Sequence, residues 1–384
     1  MEMKKSLFFF IISLFIYSCN DINKSSQEHS IKVVRNFLEL ELNDSTANIS
    51  RGLQAYTIDG LEILFNINWG LNSLQMYDLE KSKFINEIFF ETEGDKSVGR
   101  VFGFHVHNLD SIFLFTQKNS NIVIIDTAYS IKSRIEYNVP DVYSNAFVHN
   151  AYFISPPILE NNKLTVKSHI QGSYRSMTDA ELEQKALSYS INMDNGHVSM
   201  MNYLYPNSYL DKGLKFYEYS MAKKNENLVF SFFGDHRLFY ASKADENQLK
   251  SKKVKSQYLS DNLPIFPKNG AREATYEYLF ASDHYESLLY DEYRNIYYRF
   301  AFPKQSFQNM EELSQLRDAP NSFSIMILDD NLEVMDEVLF DNSRNVPNNV
   351  FIGKDGLYIS TSHPKNPDNK EGKMVFDLLR IENN

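Results

Sequence analysis

Ile191-Asn192-Met193-Asp194-Asn195-Gly196-His197 reads as a β-strand running into a tight hairpin turn. Asn-Gly accepts the positive φ angles that such a turn demands, and residues 197–203 continue as the returning strand. The same figure stands at Met76-Tyr77-Asp78, at Ile124-Ile125-Asp126 and at Ile325-Met326-Ile327-Leu328-Asp329. From Asp78 to Asp126 the step is 48 residues. Four short strands repeated every ~40–50 residues are the mark of a β-propeller blade, and the figure falls at the turn between a blade's third and fourth strands. The four aspartates then have a local task, because a carboxylate there accepts backbone N–H groups of the turn. That task explains them without assigning any chemistry.

Working outward, residues 52–58, 62–66, 73–78 and 84–90 form a first meander, and residues 101–106, 111–116, 121–126 and 131–137 a second. A third blade is expected to begin at 147–154 and to carry an insertion over 156–182. Pro156-Pro157 opens that insertion by removing backbone donors, and it includes a short helix capped by Thr178. The fourth is expected at 216–221, 228–233, 237–240 and 253–258, with Lys250 to Lys255 as a solvated turn. The fifth spans residues 285–340 around a loop at 303–321. The last set, 349–353, 356–360 and 374–381, has only three strands, whereas residues 36–42 form an orphan strand at the other end. A circular array must hide its sheet edges, so the orphan is expected to complete the last blade. The expected fold is all-β, a six-bladed propeller closed by its N-terminal strand. A seventh blade would have to draw strands from 261–280, where Tyr276, Tyr278 and Phe280 lie.

Composition agrees with strands. The chain of 384 residues has 29 Phe and 24 Tyr beside one Trp, and flat aromatic rings suit pleated, half-buried surfaces. A net charge of -11 disfavours nucleic acid and anionic lipid as partners through a general field. The only cysteine is Cys19, so no disulfide within the chain contributes to stability. It follows Lys4-Lys5 and an apolar run from Leu7 to Tyr17, the layout of an export signal; the run is too short for a spanning helix, which needs ~20 residues. Ile16-Tyr17-Ser18-Cys19 is similar to the cleavage box of bacterial lipoproteins. The organisation expected is a signal peptide over 1–18, a lipoprotein tether over 19–30 and the propeller over 31–384. Cys19 is the expected site of lipid attachment, with the protein exported and anchored to the outer membrane, facing the periplasm or the exterior.

This start, Gly103-Phe104-His105-Val106 leading into Asn108-Leu109-Asp110-Ser111-Ile112-Phe113, and the tail Gly353-Lys354-Asp355-Gly356-Leu357-Tyr358 resemble an uncharacterised, Bacteroidota-type family of exported propeller lipoproteins. The resemblance implies six or seven blades and surface or outer-membrane attachment. It brings no catalytic residue with it.

Chemistry is sparse in the pattern. His105 and His107 share one strand face, but zinc needs further ligands that spacing does not supply. No His-Glu-x-x-His segment, calcium loop or glycine-rich phosphate loop occurs, and nothing demands a cofactor. In propellers the loops that join blades shape a common mouth. Arg100, His149, Arg272 and Arg344 are therefore the polar ligand contacts expected, with Tyr143 and Tyr209 as flat partners; arginine pairs with carboxylates through two donors and tyrosine packs while staying hydrogen-bonded. The function expected is non-catalytic recognition of an envelope glycan, peptide or partner protein. The alternative is a carbohydrate-active hydrolase or lyase, which needs two acidic groups, or an acid with a histidine or tyrosine, in one mouth.

Overall fold

The computed structural model describes residues 29–116, 120–146, 148, 150–172, 174–241, 248–267 and 270–383. Cys19, the signal segment and His149 lie outside the described residues.

Six antiparallel sheets of four strands stand in a ring. Blade 1 is Leu53–Ile58, Leu61–Asn68, Ser73–Asp78 and Lys83–Phe89, and blade 2 is Val101–Asn108, Ser111–Thr116, Asn121–Ile125 and Ile131–Glu136. Blade 3 comprises Ile158–Glu160, Lys163–Lys167, Ser188–Asn192 and Val198–Met200; blade 4 comprises Tyr219–Lys224, Asn227–Phe232, Arg237–Ala241 and Lys250–Lys253. Blade 5 is His284–Asp291, Ile296–Phe302, Phe323–Leu328 and Val334–Phe340. In blade 6, Val346–Gly353, Gly356–Ser360 and Lys373–Asn383 are joined by the N-terminal strand His29–Glu41. The closing ladder runs from His29 opposite Asn383 to Glu41 opposite Lys373.

The second strands read as continuous apolar runs because both of their faces are covered. Ile63 and Phe65 pack towards Phe104 and Leu114 of blade 2, whereas Leu64 between them packs towards Phe351 and Tyr358 of blade 6. Ile112 and Leu114 likewise face blade 1, and Phe113 and Phe115 face Leu164 and Tyr189 of blade 3. Alternation thus assigns neighbouring residues to two different interblade cores. Each fully buried Leu or Phe contributes ~1.5–3 kcal/mol. Between blades 4 and 5 a polar staple joins the apolar packing. The buried Arg299 guanidinium donates to the carbonyls of Asp235 (2.7 Å), His236 (3.0 Å) and Val254 (2.6 Å), and lies 3.5 Å from the Tyr285 ring centroid.

Six blades and closure by the first strand agree with the pattern in the sequence; among the described residues there is no seventh blade. Residues 272–281 are helical, Arg272–Tyr276 followed by a π-helical turn Glu277–Ala281, so Tyr276, Tyr278 and Phe280 belong to an interblade connection. The closing strand begins at His29, inside the stretch assigned to the tether, and residues 35–37 form a bulge in it. Asn36, at φ 50°, donates from its N–H to Asp377 Oδ1 (2.8 Å) and accepts from Arg344 Nη2 (2.5 Å).

Blade 3 departs furthest from expectation. Its first two strands lie at 158–167, inside the supposed insertion, and the true insertion separates the second strand from the third at 168–187. Thr178 caps the helix Asp179–Leu182 through a reciprocal pair with Glu181, as its Thr-x-x-Glu spelling implies. In blade 4 the lysine-rich segment supposed to be a turn is the outer strand, where charge discourages pairing with another chain. The turn aspartates act as expected in Asp78, Asp126 and Asp329, whose carboxylates accept turn N–H groups at 2.7–2.9 Å. In blade 3 it is Asn192, not Asp194, whose side-chain oxygen accepts the N–H groups of Asp194 (2.9 Å) and Asn195 (3.2 Å).

The segment entering blade 3 crosses among the inner strands of blades 1, 2, 4 and 5. Gly103 allows it to pass, since a Cβ there would stand 1.9 Å from the Val148 carbonyl oxygen. Beyond it, Asn150 bridges Gly52, and Ile154 and Ser155 hydrogen-bond to the inner strands of blades 5 and 4.

Candidate functional site

Around that crossing segment opens a cavity of about 800 Å³. Its wall is drawn from five blades. Arg51 and Trp69 come from blade 1, Phe102 from blade 2, Tyr152, Phe153 and Lys167 from blade 3, Phe216, Glu218 and Phe233 from blade 4, and Phe280, Glu286 and Asp318 from blade 5. These positions lie where one blade leads into the next or where a second strand turns to a third, which defines one end of the ring as the mouth. A smaller cavity of about 410 Å³, with Pro156, Pro157, Leu288 and Tyr293 in its wall, occupies the other end.

Two backbone irregularities aim side chains into the mouth. Phe153 has φ 45°, a conformation that costs ~1–3 kcal/mol for a bulky residue and persists only where surrounding structure enforces it. Its ring meets Phe216 and Phe233 with centroids 6.2 and 6.4 Å away, and those two are 5.5 Å apart. The second is a break in the blade 5 ladder between Tyr285 and Leu288. Such bulges redirect side chains, and Glu286 sits at this one.

Lys167, Glu218 and His169 form a nearly enclosed charged group. Lys167 Nζ lies 2.5 Å from Glu218 Oε2, His169 Nδ1 lies 3.3 Å from Glu218 Oε1, and the Lys167 side chain is only 5% exposed. Burial pushes the Glu218 carboxyl upwards, but the charges of Lys167 and His169 outweigh it and hold it at about 2. Burial also pushes the Lys167 ammonium below its ordinary range, against the pull of Glu218. The ammonium stands 4.7 Å from the Tyr219 ring centroid and 5.4 Å from that of Phe153, a favourable cation–π arrangement. Across the mouth, Arg51 Nη1 donates to the Tyr152 hydroxyl (3.2 Å) and lies 3.7 Å from Asp318, to which Tyr152 itself donates. Burial, followed by the neighbouring Asp318, raises the Tyr152 phenol to about 12.

A family defined as a domain of unknown function, DUF4221, matches residues 30–339. The chain belongs to this family. A DUF4221 member from Bacteroides vulgatus atcc 8482, known from its crystal structure, superposes with a TM-score of 0.81 at 22% identity, over 92% of this chain and 99% of that one. A protein from Bacteroides fragilis NCTC 9343 classed as exported superposes with a TM-score of 0.53 at 13% identity, over 94% and 97% of the two chains. At these identities the likeness concerns the fold. No curated protein matches the sequence.

In this DUF4221 propeller the residues expected as ligand contacts do not gather in the mouth. Arg100 is exposed behind its rim and donates to the Trp69 carbonyl (3.2 Å). Tyr143 is buried, its hydroxyl accepting the Ala186 N–H (2.9 Å). Tyr209 is fully buried and donates to the Phe216 carbonyl (2.8 Å), bracing the wall from behind. Arg272 lies over the Tyr276 ring in an outer cleft that also includes Asp318. Arg344 is buried against Asp377 (3.2 Å) in the closing blade. His149 has no described placement. The mouth is lined by the last residues of the interblade connections, among them Tyr152, Phe153, Phe216, Glu218 and Phe280, together with Lys167 and Glu286 on strands. A signal was present: Phe216-Tyr217-Glu218-Tyr219 and His284-Tyr285-Glu286-Ser287-Leu288 each set one carboxylate into an aromatic or apolar stretch, where burial is costly without a purpose. His105 and His107 remain on one strand; burial, then the neighbouring His107, lowers His105 to about 4. Among the described residues no group of three His, Cys, Asp or Glu side chains could hold a metal.

Proposed function

We propose that this DUF4221 protein is an exported, lipid-anchored recognition propeller that holds the end of a glycan or peptide in its mouth. One observation supports this reading above the others: a cavity of about 800 Å³ lined by aromatic rings from separate blades, with charged groups fixed among them. That combination of apolar wall and a few oriented polar groups is the usual make-up of a ligand site. Export is supported by Lys4-Lys5 and the apolar run before Cys19, and by the fold shared with an exported protein.

The test uses soluble protein beginning at Asn20, which keeps every described residue, against panels of envelope glycans and short peptides. Saturable binding is expected, weakened about tenfold by Phe280→Ala, which removes one wall; aromatic anchors at binding sites commonly carry ≥ ~1.4 kcal/mol. Binding unaffected by Phe280→Ala, or none across both panels, would overturn the reading. The placement of Glu218, Glu286 and His169 in one cavity favours a second reading, a carbohydrate-active hydrolase or lyase with a carboxylate as acid or base. New chain ends after prolonged incubation with the same glycans, lost in Glu286→Gln, would establish turnover; unchanged glycans would dismiss it.

A further inference from the structure

The charges of the mouth are unequally satisfied. Lys167 is neutralised by Glu218 at 2.5 Å, Arg51 by Asp318 at 3.7 Å, and the Arg317 guanidinium lies over the Tyr152 ring, 5.4 Å from its centroid. Glu286 has a different environment. Its side chain is 15% exposed, and the charged or basic group beside it is the His284 imidazole, with Nε2 3.6 Å from Oε1. No lysine or arginine stands within 4 Å of Glu286 among the described residues. The imidazole is itself constrained. His284 Nδ1 lies 2.7 Å from the Ser282 carbonyl oxygen and must carry a proton to bond to it. The ring is clasped between Phe233 and Phe302, with centroids 4.6 and 4.8 Å away.

The aromatic rings complete the picture. On one side of Glu286 the Tyr285 N–H donates to the Phe233 carbonyl (3.0 Å), and on the other the Ile154 N–H donates to the Ser287 hydroxyl (3.1 Å). The bulged carboxylate is therefore held between the segments that carry Phe233 and Phe153, whose rings pack with Phe216 in the same wall. Ring faces present negative potential, and a partly desolvated carboxylate adds a full negative charge. At this part of the wall a ligand anion would meet repulsion from both, whereas an ammonium group would be attracted by both and would pair with a carboxylate whose basic neighbour among the described residues is the His284 imidazole.

We propose that the mouth selects ligands bearing an ammonium group on an apolar body, with Glu286 as the counter-charge and Phe153, Phe216 and Phe233 as the surrounding rings. This rests on the reading of the mouth as a ligand site, and it specifies the chemistry which that reading leaves open. Three probes of nearly one shape separate the two: 2-phenylethylamine, 2-phenylethanol and 3-phenylpropionate, titrated by saturation-transfer NMR into the soluble chain at fixed salt. The amine is expected to bind at least about tenfold more tightly than the alcohol or the acid, a difference of ~1.4 kcal/mol, through a desolvated cation–π and ion-pair contact. Glu286→Gln should abolish that preference while leaving the alcohol within about twofold. If Glu286→Gln does not fold, Glu286→Asp, which withdraws the charge by one methylene, should reduce the preference instead. Equal binding of the three probes, or an amine preference that survives removal of the charge, overturns the proposal and leaves the mouth as an unselective ligand site. No binding of any probe overturns the ammonium proposal, whereas the reading of the mouth as a ligand site falls only if the glycan and peptide panels also show no binding.

Discussion

Glu218 keeps its negative charge in a nearly closed site only because Lys167 and His169 stand beside it. Its folded value of about 2 lies below the ordinary 4.5, so its contribution is complete above pH 4.5 and is lost as pH falls through about 2. The size is on the order of 3 kcal/mol, one pKa unit being ~1.4 kcal/mol. The burial that lowers Lys167 acts in the opposite sense, as a cost borne wherever the ammonium stays charged. Glu218→Gln should therefore be less stable than the parent at pH 7, with the gap closing between pH 4.5 and 2 in urea unfolding series. A gap of constant size would show that the carboxylate's charge is not what stabilises. These residues were legible one by one as charges inside apolar stretches, but nothing in the local spelling pairs position 167 with 218. Phe153 illustrates the same limit more sharply: no glycine or asparagine announces its positive φ, which the crossing segment's neighbours impose.

At the scale of elements, strand content was readable wherever both faces of a strand are covered. Residues 73–78 and 111–116 occupy the expected bounds, the first by its alternation of Leu74, Met76 and polar neighbours and the second by the apolar run Ile112 to Phe115, each set between turn residues. Legibility failed where burial does not write the pattern. Lys250–Lys253 is an outer strand with polar side chains, and Ile158–Glu160 has only three residues behind two prolines. The closing strand shows how an element is fastened by a residue that was assigned another task. Arg344 bonds to Asp377 and to the bulged Asn36, joining three segments of blade 6. Arg344→Ala should cost ~3–5 kcal/mol, the range for leaving a buried charge unpaired, and should lower the urea midpoint of a protein that remains monomeric. Deleting residues 29–41 should go further, exposing the Lys373–Asn383 edge. Loss of a single cooperative transition together with self-association on size-exclusion chromatography is the expected result. A monomeric deletion variant that unfolds cooperatively would contradict closure by this strand.

For the whole molecule, the direction of the first strand matters. It leaves Glu41 towards Arg51 in the mouth, so His29 begins at the far end of the ring, and a strand of 13 residues extends ~40 Å. A lipid on Cys19 would therefore join the propeller through the chain that enters at this far end. Metabolic labelling with palmitate should mark the full chain, and Cys19→Ala should remove the label; equal labelling of both would reject Cys19 as the anchor.

The propeller class and its closure by the first strand were legible in the sequence alone, because a repeat length, turn chemistry, an orphan strand at the N-terminus and a three-strand set at the C-terminus are properties of chain order; the choice of six blades over seven came from residues 272–281 being helical. The composition of the mouth was decided only by tertiary structure. Arg51, Phe153, Lys167, Glu218 and Glu286 are far apart along the chain and meet because the ring closes, while their directions depend on a bulge and a left-handed residue that packing, rather than local preference, enforces.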